Sequence, residues 1–152
     1  MSDQAQVWIL DNGQKKVSIA FAELVAVIQK PTIYNLPYAH SWSYCFAYWQ
    51  NNIIPIIDLS ARLITKTEAS LLSTTNKEDV LCILAYPVKE GVAYGGFLTQ
   101  ALPYDININN DMACHLPAPE WQAISRSCFS YQSEAIPILN ISAMYTATTP
   151  ME

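Results

Sequence analysis

Cysteine and histidine are the residues of this sequence best suited to chemistry, and there are few of either. The cysteines are spaced too widely for a CxxC metal pair or a small disulfide framework; they are Cys45, Cys82, Cys114 and Cys128. The adjacent Cys114 and His115 point to opposite sides of an extended backbone, which disfavours shared metal ligation. A nucleophilic pair of Cys45 or Cys128 with His40 is possible, but packing explains these cysteines better. We therefore expect free thiols and no metal site.

Other catalytic and binding motifs are also missing from the sequence. It has four glycines and none of the glycine-rich or histidine-rich motifs that cradle phosphates or hold catalytic zinc. The one adjacent carboxylate pair, Glu78-Asp79, lies in a polar stretch where a solvated role is expected. A net charge of −5, with no basic cluster beyond Lys15-Lys16, disfavours nucleic acid as a partner. We expect no catalytic residue and no bound cofactor.

Composition favours one compact folded unit. Hydrophobic residues make up 51% of the 152 residues and charged residues 14%. Polar residues or prolines interrupt every apolar run before it reaches the ~20 residues that a bilayer crossing needs. The amino-terminal residues also lack the basic start and apolar middle of a secretory signal. The sequence therefore predicts a cytoplasmic protein without membrane insertion.

The apolar runs are short and separated by turn residues, which indicates β-structure. Asn12-Gly13 separates two of them and predicts a hairpin. A second hairpin is predicted from residues 43–49 and 53–57 around Gln50-Asn51-Asn52. Alternation places four aromatic residues on one face of its first strand, and core packing is the expected role for most of that face; they are Trp42, Tyr44, Phe46 and Tyr48.

An internal repeat organises the chain. Residues 45–48 (CFAY) recur as residues 128–131 (CFSY), and residues 54–61 (IPIIDLSA) recur as residues 136–143 (IPILNISA). A unit of roughly 70 residues is too short for a two-layer sandwich, whereas closure into a small barrel removes its exposed edges. We therefore predict an all-β domain of two tandem five-stranded barrels, packed side by side, with short helices after the Ile-Pro strands.

The expected boundaries follow from the repeat. The first barrel is predicted to cover about residues 11–64 and the second about 80–145, joined by a polar linker at 65–78. The strand at residues 7–10 is free to pair with either barrel, and residues 146–152 form a tail. Small barrels have little interior room, so their function is expected on outer faces and in the groove between them.

Residues 53–63 (IIPIIDLSARL) resemble the hydrophobic-IPVIDL-x-x-x-L signature of CheW-like domains, with Leu36-Pro37 where that family has a Val-Pro pair. The resemblance extends over about residues 7–145. It implies two SH3-like barrels and a non-enzymatic adaptor in a chemotaxis or pilus (twitching) motility array. The implied partners are the regulatory domain of a CheA-type histidine kinase and the cytoplasmic tip of a chemoreceptor.

The departures from the family pattern concern charge. Gln50 stands where the family has an arginine, and Ala26 stands where it has a glutamate. We therefore expect partner contacts that are apolar and polar rather than ionic, with Leu24 exposed between the barrels. The protein-contact residues implied by the resemblance are Leu24, Ala26, Tyr48, Trp49, Gln50, Asn51 and Val80.

The sequence leaves two other functions open. A paralogous adaptor would bind the kinase but not the usual receptor, which the lost charges at Ala26 and Gln50 favour. A small-ligand or enzymatic barrel would instead use the groove between the units, with Cys45, His40 or Tyr104. A deep polar pocket with converging side chains would support this last reading.

Overall fold

The computed structural model describes residues 4–11, 15–35, 45–57, 80–117 and 119–146, which form eleven strands and one α-helix. The strands are β1 (Gln4–Asp11), β2 (Lys16–Ala20), β3 (Leu24–Gln29), β4 (Tyr34–Asn35), β5 (Cys45–Trp49), β6 (Asn52–Ile57), β7 (Val80–Val88), β8 (Gly91–Thr99), β9 (Tyr104–Asn109), β10 (Ser125–Tyr131) and β11 (Glu134–Leu139). Helix α1 is Ile141–Thr146. Short 3-10 helices lie at Phe21–Glu23, Asn110–Met112 and Pro119–Ala123.

The strands form two sheets of the same design. Sheet A has the order β10-β11-β2-β1-β9, and sheet B has the order β3-β7-β8-β6-β5-β4. In each sheet the Ile-Pro strand pairs antiparallel with the strand before it and parallel with a strand of a distant hairpin: β11 with β2, and β6 with β8. The two copies of the Ile-Pro motif therefore occupy equivalent strands. This confirms the prediction of an all-β fold with two similar units.

Each sheet closes into a barrel, because the segment that follows one edge strand pairs with a strand at the other edge. In sheet B, the chain after β3 continues into β4, which pairs with β5. In sheet A, the chain after β9 continues to Ala113, which bridges to Phe129 of β10. The same connection thus brings the two edges of each sheet together, as expected for a small barrel.

The sheets exchange hairpins between the two halves of the sequence. Hairpin β1–β2 pairs in sheet A with β9 to β11, and hairpin β7–β8 pairs in sheet B with β3 to β6. The polar stretch at 65–78 lies outside the described residues; it separates the sequence repeats, but the sheets do not divide there. The expected barrels at 11–64 and 80–145 therefore differ from the observed strand assignment.

Short connections explain the exchange. Only Phe21–Glu23 separates β2 in sheet A from β3 in sheet B, and only residues 100–103 separate β8 in sheet B from β9 in sheet A. The backbone N–H of Gln100 donates to the carbonyl of Asp11 at 2.8 Å and ties the β8–β9 connection to the end of β1. Connections this short hold the linked strands as neighbours, so each half of the chain contributes to both sheets.

Among the described residues, three apolar clusters hold the strands together. The cluster inside sheet A includes Val7, Ile9, Phe129 and Ile136, and the cluster inside sheet B includes Ala47, Ile54, Ile56, Leu81 and Ile83. The largest cluster lies between the sheets; its members include Leu10, Ile19, Ile57, Val80, Cys82, Leu84, Phe97, Leu139, Met144 and Tyr145. Strands β1 and β7 contribute to an inner cluster with one face and to the shared cluster with the other. Neither sheet is therefore independent of its neighbour.

Helix α1 seals one side of the shared cluster. It follows the second Ile-Pro strand, as predicted, and Asn140 Oδ1 accepts a hydrogen bond from the Ala143 N–H at 3.3 Å. The Tyr145 ring stacks on Tyr86 with centroids 5.3 Å apart, and its hydroxyl donates to the Gly96 carbonyl at 2.6 Å. The helix expected after the first Ile-Pro strand lies outside the described residues.

Alkaline pH should destabilise this core. Burial raises the pKa of the Cys82 thiol from 9.0 to about 11, and burial raises the pKa of the Tyr145 phenol well above its usual value. Both groups are held neutral by the folded state, so their stabilising contribution is complete below the unfolded pKa and is lost as pH rises towards the folded one. Urea unfolding should give a constant free energy up to about pH 9 and then a decline of about 1.4 kcal/mol per pH unit for each titrating group.

The variant Cys82→Ala isolates one part of that decline. It should halve the fall between pH 9 and pH 10, because burial and the neighbouring Cys114 raise the pKa of the Cys128 thiol from 9.0 to about 12, so that this thiol contributes over the same range. The later fall caused by the phenol should remain. A free energy of unfolding that stays constant from pH 8 to pH 10.5 in the original chain would contradict the burial of both groups.

Candidate functional site

An exposed aromatic cluster lies on the outer face of sheet B. Alternation along β5 directs Phe46 and Tyr48 outward, and Tyr34 of β4 joins them from the neighbouring strand. The Tyr34 ring stacks on Phe46 with centroids 5.3 Å apart and meets Tyr48 edge-on at 5.4 Å. Tyr48 is 57% exposed. The rings are thus ordered by one another while remaining open to solvent.

Strand β6 extends this surface. Ile53 lies directly opposite Tyr48, and Pro55 lies directly opposite Phe46. Ile53 is 61% exposed, because its neighbours Ile54 and Ile56 take the inward positions of the strand. We call Tyr34, Phe46, Tyr48, Ile53 and Pro55 the outer apolar strip. Contiguous exposed apolar residues on a folded protein are typical of protein-binding surfaces.

A tight turn borders the outer apolar strip. Gln50 and Asn51 have φ values of 50° and 66°, and both side chains are exposed. Two successive left-handed residues are the geometry that joins twisted antiparallel strands with a two-residue loop. Asn51 therefore takes a left-handed conformation, which asparagine tolerates better than most residues. The equivalent turn of sheet A has the same geometry at Gln132 and Ser133.

The remaining predicted contact residues are less exposed. Trp49 points to the opposite face of β5 and packs its ring against Tyr94 at 5.2 Å. Ala26 is half-buried against the cluster inside sheet B. Leu24 is half-buried against the cluster between the sheets, so the expectation of a freely exposed Leu24 is corrected. A charge at Leu24 would disturb packing as well as any partner contact.

Val80 does not belong to a surface. Its side chain is 5% exposed and lies in the cluster between the sheets, because β7 is a central strand flanked by β3 and β8. It also lies far from the turn. Strands β6 and β8 are parallel, so Gln50-Asn51 shares one end of sheet B with the β7–β8 turn, while Val80 begins β7 at the other end. The structure thus brings together Tyr48, Gln50 and Asn51 and separates Val80 from them.

Tyr34 and Ile53 belong to this surface but were not among the predicted contact residues. The exposure of Ile53 was predictable from the sequence. A two-residue turn at Gln50-Asn51 pairs Ile53 with Tyr48 and places both on one face. Tyr34 carried no such signal, since strand β4 has only two residues. Local sequence does not reveal which strand a two-residue segment will join.

The residues considered for a ligand-binding groove are not brought together. Tyr104 lies on β9 of sheet A opposite Ile9, whereas Cys45 lies on β5 at the far side of sheet B. His40 lies outside the described residues. Within the described ranges no group of three or more His, Cys, Asp or Glu side chains could hold a metal ion. No helix of the described part is long and apolar enough to cross a membrane.

A buried polar side chain at the end of β8 is satisfied by backbone carbonyls. Thr99 is 1% exposed at the end of β8, and its hydroxyl donates to the carbonyl of Ala101 at 2.8 Å. This hydroxyl is also 3.5 Å from the Val80 carbonyl. A buried threonine satisfied by backbone carbonyls leaves no need for an ionised partner here.

Comparison with solved structures shows a likeness to a scaffolding protein. No family profile and no curated protein sequence matches the chain. A similar solved structure is that of the scaffolding protein TtCheW from Thermoanaerobacter tengcongensis, with a TM-score of 0.72 and 15% sequence identity. The match covers 99% of this chain and 98% of that one. At this level of identity the likeness establishes the fold alone: the two sheets described above have the architecture of that scaffolding protein.

Proposed function

We propose that this protein is a non-enzymatic adaptor that couples chemoreceptors to a CheA-type histidine kinase. The observation that carries the proposal is the fold correspondence with a scaffolding protein over 99% of the chain. The sequence signature at residues 53–63 supports the same role independently, because it resembles the CheW-like pattern at the strand that repeats in both sheets. The fold correspondence concerns the whole domain rather than one pocket.

The outer apolar strip and its turn are the proposed partner surface. Exposed aromatic residues favour protein binding, because they bury a large area at a small cost in conformational entropy. Tyr48, Gln50 and Asn51 supply the exposed part of the predicted contact set, and Trp49 supports them from the inner face. None of the strip residues is charged. Binding should therefore depend weakly on salt.

A matched pair of substitutions tests this surface. Ile53→Asp places a charge in the strip and should weaken binding to the kinase regulatory domain or to the receptor tip at least ~10-fold, because the carboxylate must be desolvated against apolar groups. The control is Leu102→Asp, since Leu102 is 54% exposed on the connection outside the strip. Titration calorimetry with the purified partner domains, at low and moderate salt, measures both.

The expected result is loss of affinity for Ile53→Asp alone, with both variants melting close to the unmodified chain. Equal affinities for the two variants would remove the strip from consideration. Binding that disappears in moderate salt would show that charged groups govern the interface instead.

The paralogous-adaptor alternative gives a different pattern in the same titrations. The uncharged residues Ala26 and Gln50 favour this alternative, because a receptor that binds through an arginine-glutamate pair lacks that pair here. In that case the kinase domain binds and the receptor tip does not. Restoring the family residues with Gln50→Arg and Ala26→Glu together should then raise receptor affinity.

A further inference from the structure

Two cysteine side chains meet at the seam of sheet A, where the chain after β9 lies beside strand β10 and closes the sheet. The Sγ atoms of Cys114 and Cys128 are 3.1 Å apart, and both residues are free thiols. The backbone places them directly opposite one another, because Ala113 bridges Phe129 and the Cys114 N–H donates to the Cys128 carbonyl at 3.1 Å. Directly opposed residues of this kind have Cα atoms about 5.5 Å apart, inside the range that a disulfide spans.

The equivalent seam of sheet B lacks this pair. There the strand partner of Cys45 is Asn35, so one cysteine of the motif is present and the second is not. Cys82 lies on β7 with its side chain in the cluster between the sheets. The repeat thus supplies an internal comparison: the two sheets have the same closure, but only sheet A has two sulfur atoms across it.

We propose that Cys114 and Cys128 are a reversible modification site, forming an intramolecular disulfide by exchange with a small disulfide of the glutathione type. The Cys114 thiolate attacks the small disulfide, forms a mixed disulfide and releases one small thiol. The Cys128 sulfur then loses its proton, attacks Cys114 Sγ and releases the second small thiol. Two protein thiols together lose two electrons and two protons, and one small disulfide is reduced to two thiols.

The exposure of the two sulfur atoms determines which cysteine reacts first. Cys114 is half-buried, so an external disulfide reaches its sulfur, whereas Cys128 is 4% exposed. Burial and the neighbouring Cys114 raise the pKa of the Cys128 thiol to about 12, which makes it a poor first nucleophile. Once Cys114 carries the mixed disulfide, the short distance between the sulfurs compensates for this low reactivity.

The crosslink would close a loop of 15 residues, from 114 to 128, across the seam between the chain after β9 and strand β10. A loop of this length gives a substantial stabilisation by restricting the unfolded chain. We expect the oxidised protein to melt about 5 °C higher than the reduced protein. By linkage, the disulfide should form at least ~10-fold more readily in the folded chain than in concentrated urea.

The arrangement of basic residues makes the crosslink easy to detect. Arg126 lies between the two cysteines, and trypsin places each of the four cysteines on a separate peptide. The full chain is equilibrated with mixtures of reduced and oxidised glutathione, free thiols are alkylated, and the denatured protein is digested. The expected product joins peptide 90–126 to peptide 127–152 with the loss of two hydrogens.

Two variants complete the test. Cys45→Ser should leave the crosslink unchanged. Cys114→Ser should abolish it and leave the buried Cys128 free of glutathione in the folded protein. Alkylation of both cysteines at every glutathione ratio would overturn the proposal, as would crosslinks to other peptides or equal crosslinking in urea and in the folded state.

Discussion

The substitution Ile54→Asp should prevent folding, whereas Ile53→Asp on the adjacent residue should leave the fold intact. Ile54 is fully buried inside sheet B, and Ile53 is 61% exposed on the outer face of the same strand. The buried variant loses the transfer energy of an isoleucine side chain and leaves a carboxylate without a partner. Together these cost about 5 kcal/mol or more, which is comparable to the whole stability of an ordinary domain.

The loss should extend beyond sheet B. Strand β6 also contributes Ile57 to the cluster between the sheets, and that cluster includes Leu10 and Leu139 of sheet A. Far-UV circular dichroism and urea unfolding should therefore show no cooperative transition for Ile54→Asp and a near-normal one for Ile53→Asp. A folded Ile54→Asp protein would mean that the two faces of β6 are reversed.

The substitution Gly95→Ala should produce the second-largest loss of stability. A methyl group at residue 95 would overlap the Tyr145 ring, lying 2.6 Å from Cε2. The ring has little freedom to yield, because it stacks on Tyr86 and its hydroxyl donates to the Gly96 carbonyl. We expect a loss of about 3 kcal/mol in the free energy of unfolding, at the upper end of the cost of overpacking.

A double-mutant cycle separates this contact from other effects of the alanine. In a Tyr145→Leu background the same Gly95→Ala change should cost much less, giving a coupling energy of about 1–3 kcal/mol. Equal costs in the two backgrounds, measured by urea unfolding, would show that the Tyr145 ring is not what excludes a side chain at residue 95.

The repeat made the general architecture predictable. The recurrence of CFAY as CFSY and of the Ile-Pro segment assigned four strands to equivalent places, and the structure places them there. The hairpin exchange was not predictable in the same way. Nothing in the three residues Phe21–Glu23 distinguishes a crossing between sheets from an ordinary turn within one.

The orientation of β5 shows a second limit of prediction from the sequence. Alternation correctly placed Phe46 and Tyr48 on one face, and Tyr48 is exposed there. The expectation of core packing for most of that face was wrong for Phe46, which is half-buried on the outer face beside Tyr34. Small inward residues such as Ala47 leave the interior of a narrow barrel to the isoleucines of β6. A period of two identifies which residues share a face, but not which face is buried. Trp42 and Tyr44 lie outside the described residues.

Val80 was a misassignment that the sequence could have prevented. Residues 80–84 (VLCIL) form an unbroken apolar run, which is typical of a strand buried on both faces. The observed β7 has this character: Leu81 and Ile83 pack inside sheet B, and Val80, Cys82 and Leu84 pack between the sheets. A residue in such a run is a poor candidate for a contact surface.

The most direct test of the adaptor role is recruitment of the kinase to receptor-containing membranes. A CheA-type kinase is mixed with vesicles that carry the receptor cytoplasmic fragments, with and without this protein, and the kinase in the pelleted fraction is measured. The adaptor account predicts that the kinase sediments with the vesicles when this protein is present, and that Leu102→Asp supports recruitment while Ile53→Asp does not. Kinase recovery that is the same with and without the folded protein, across the organism's kinases and receptors, would contradict the account.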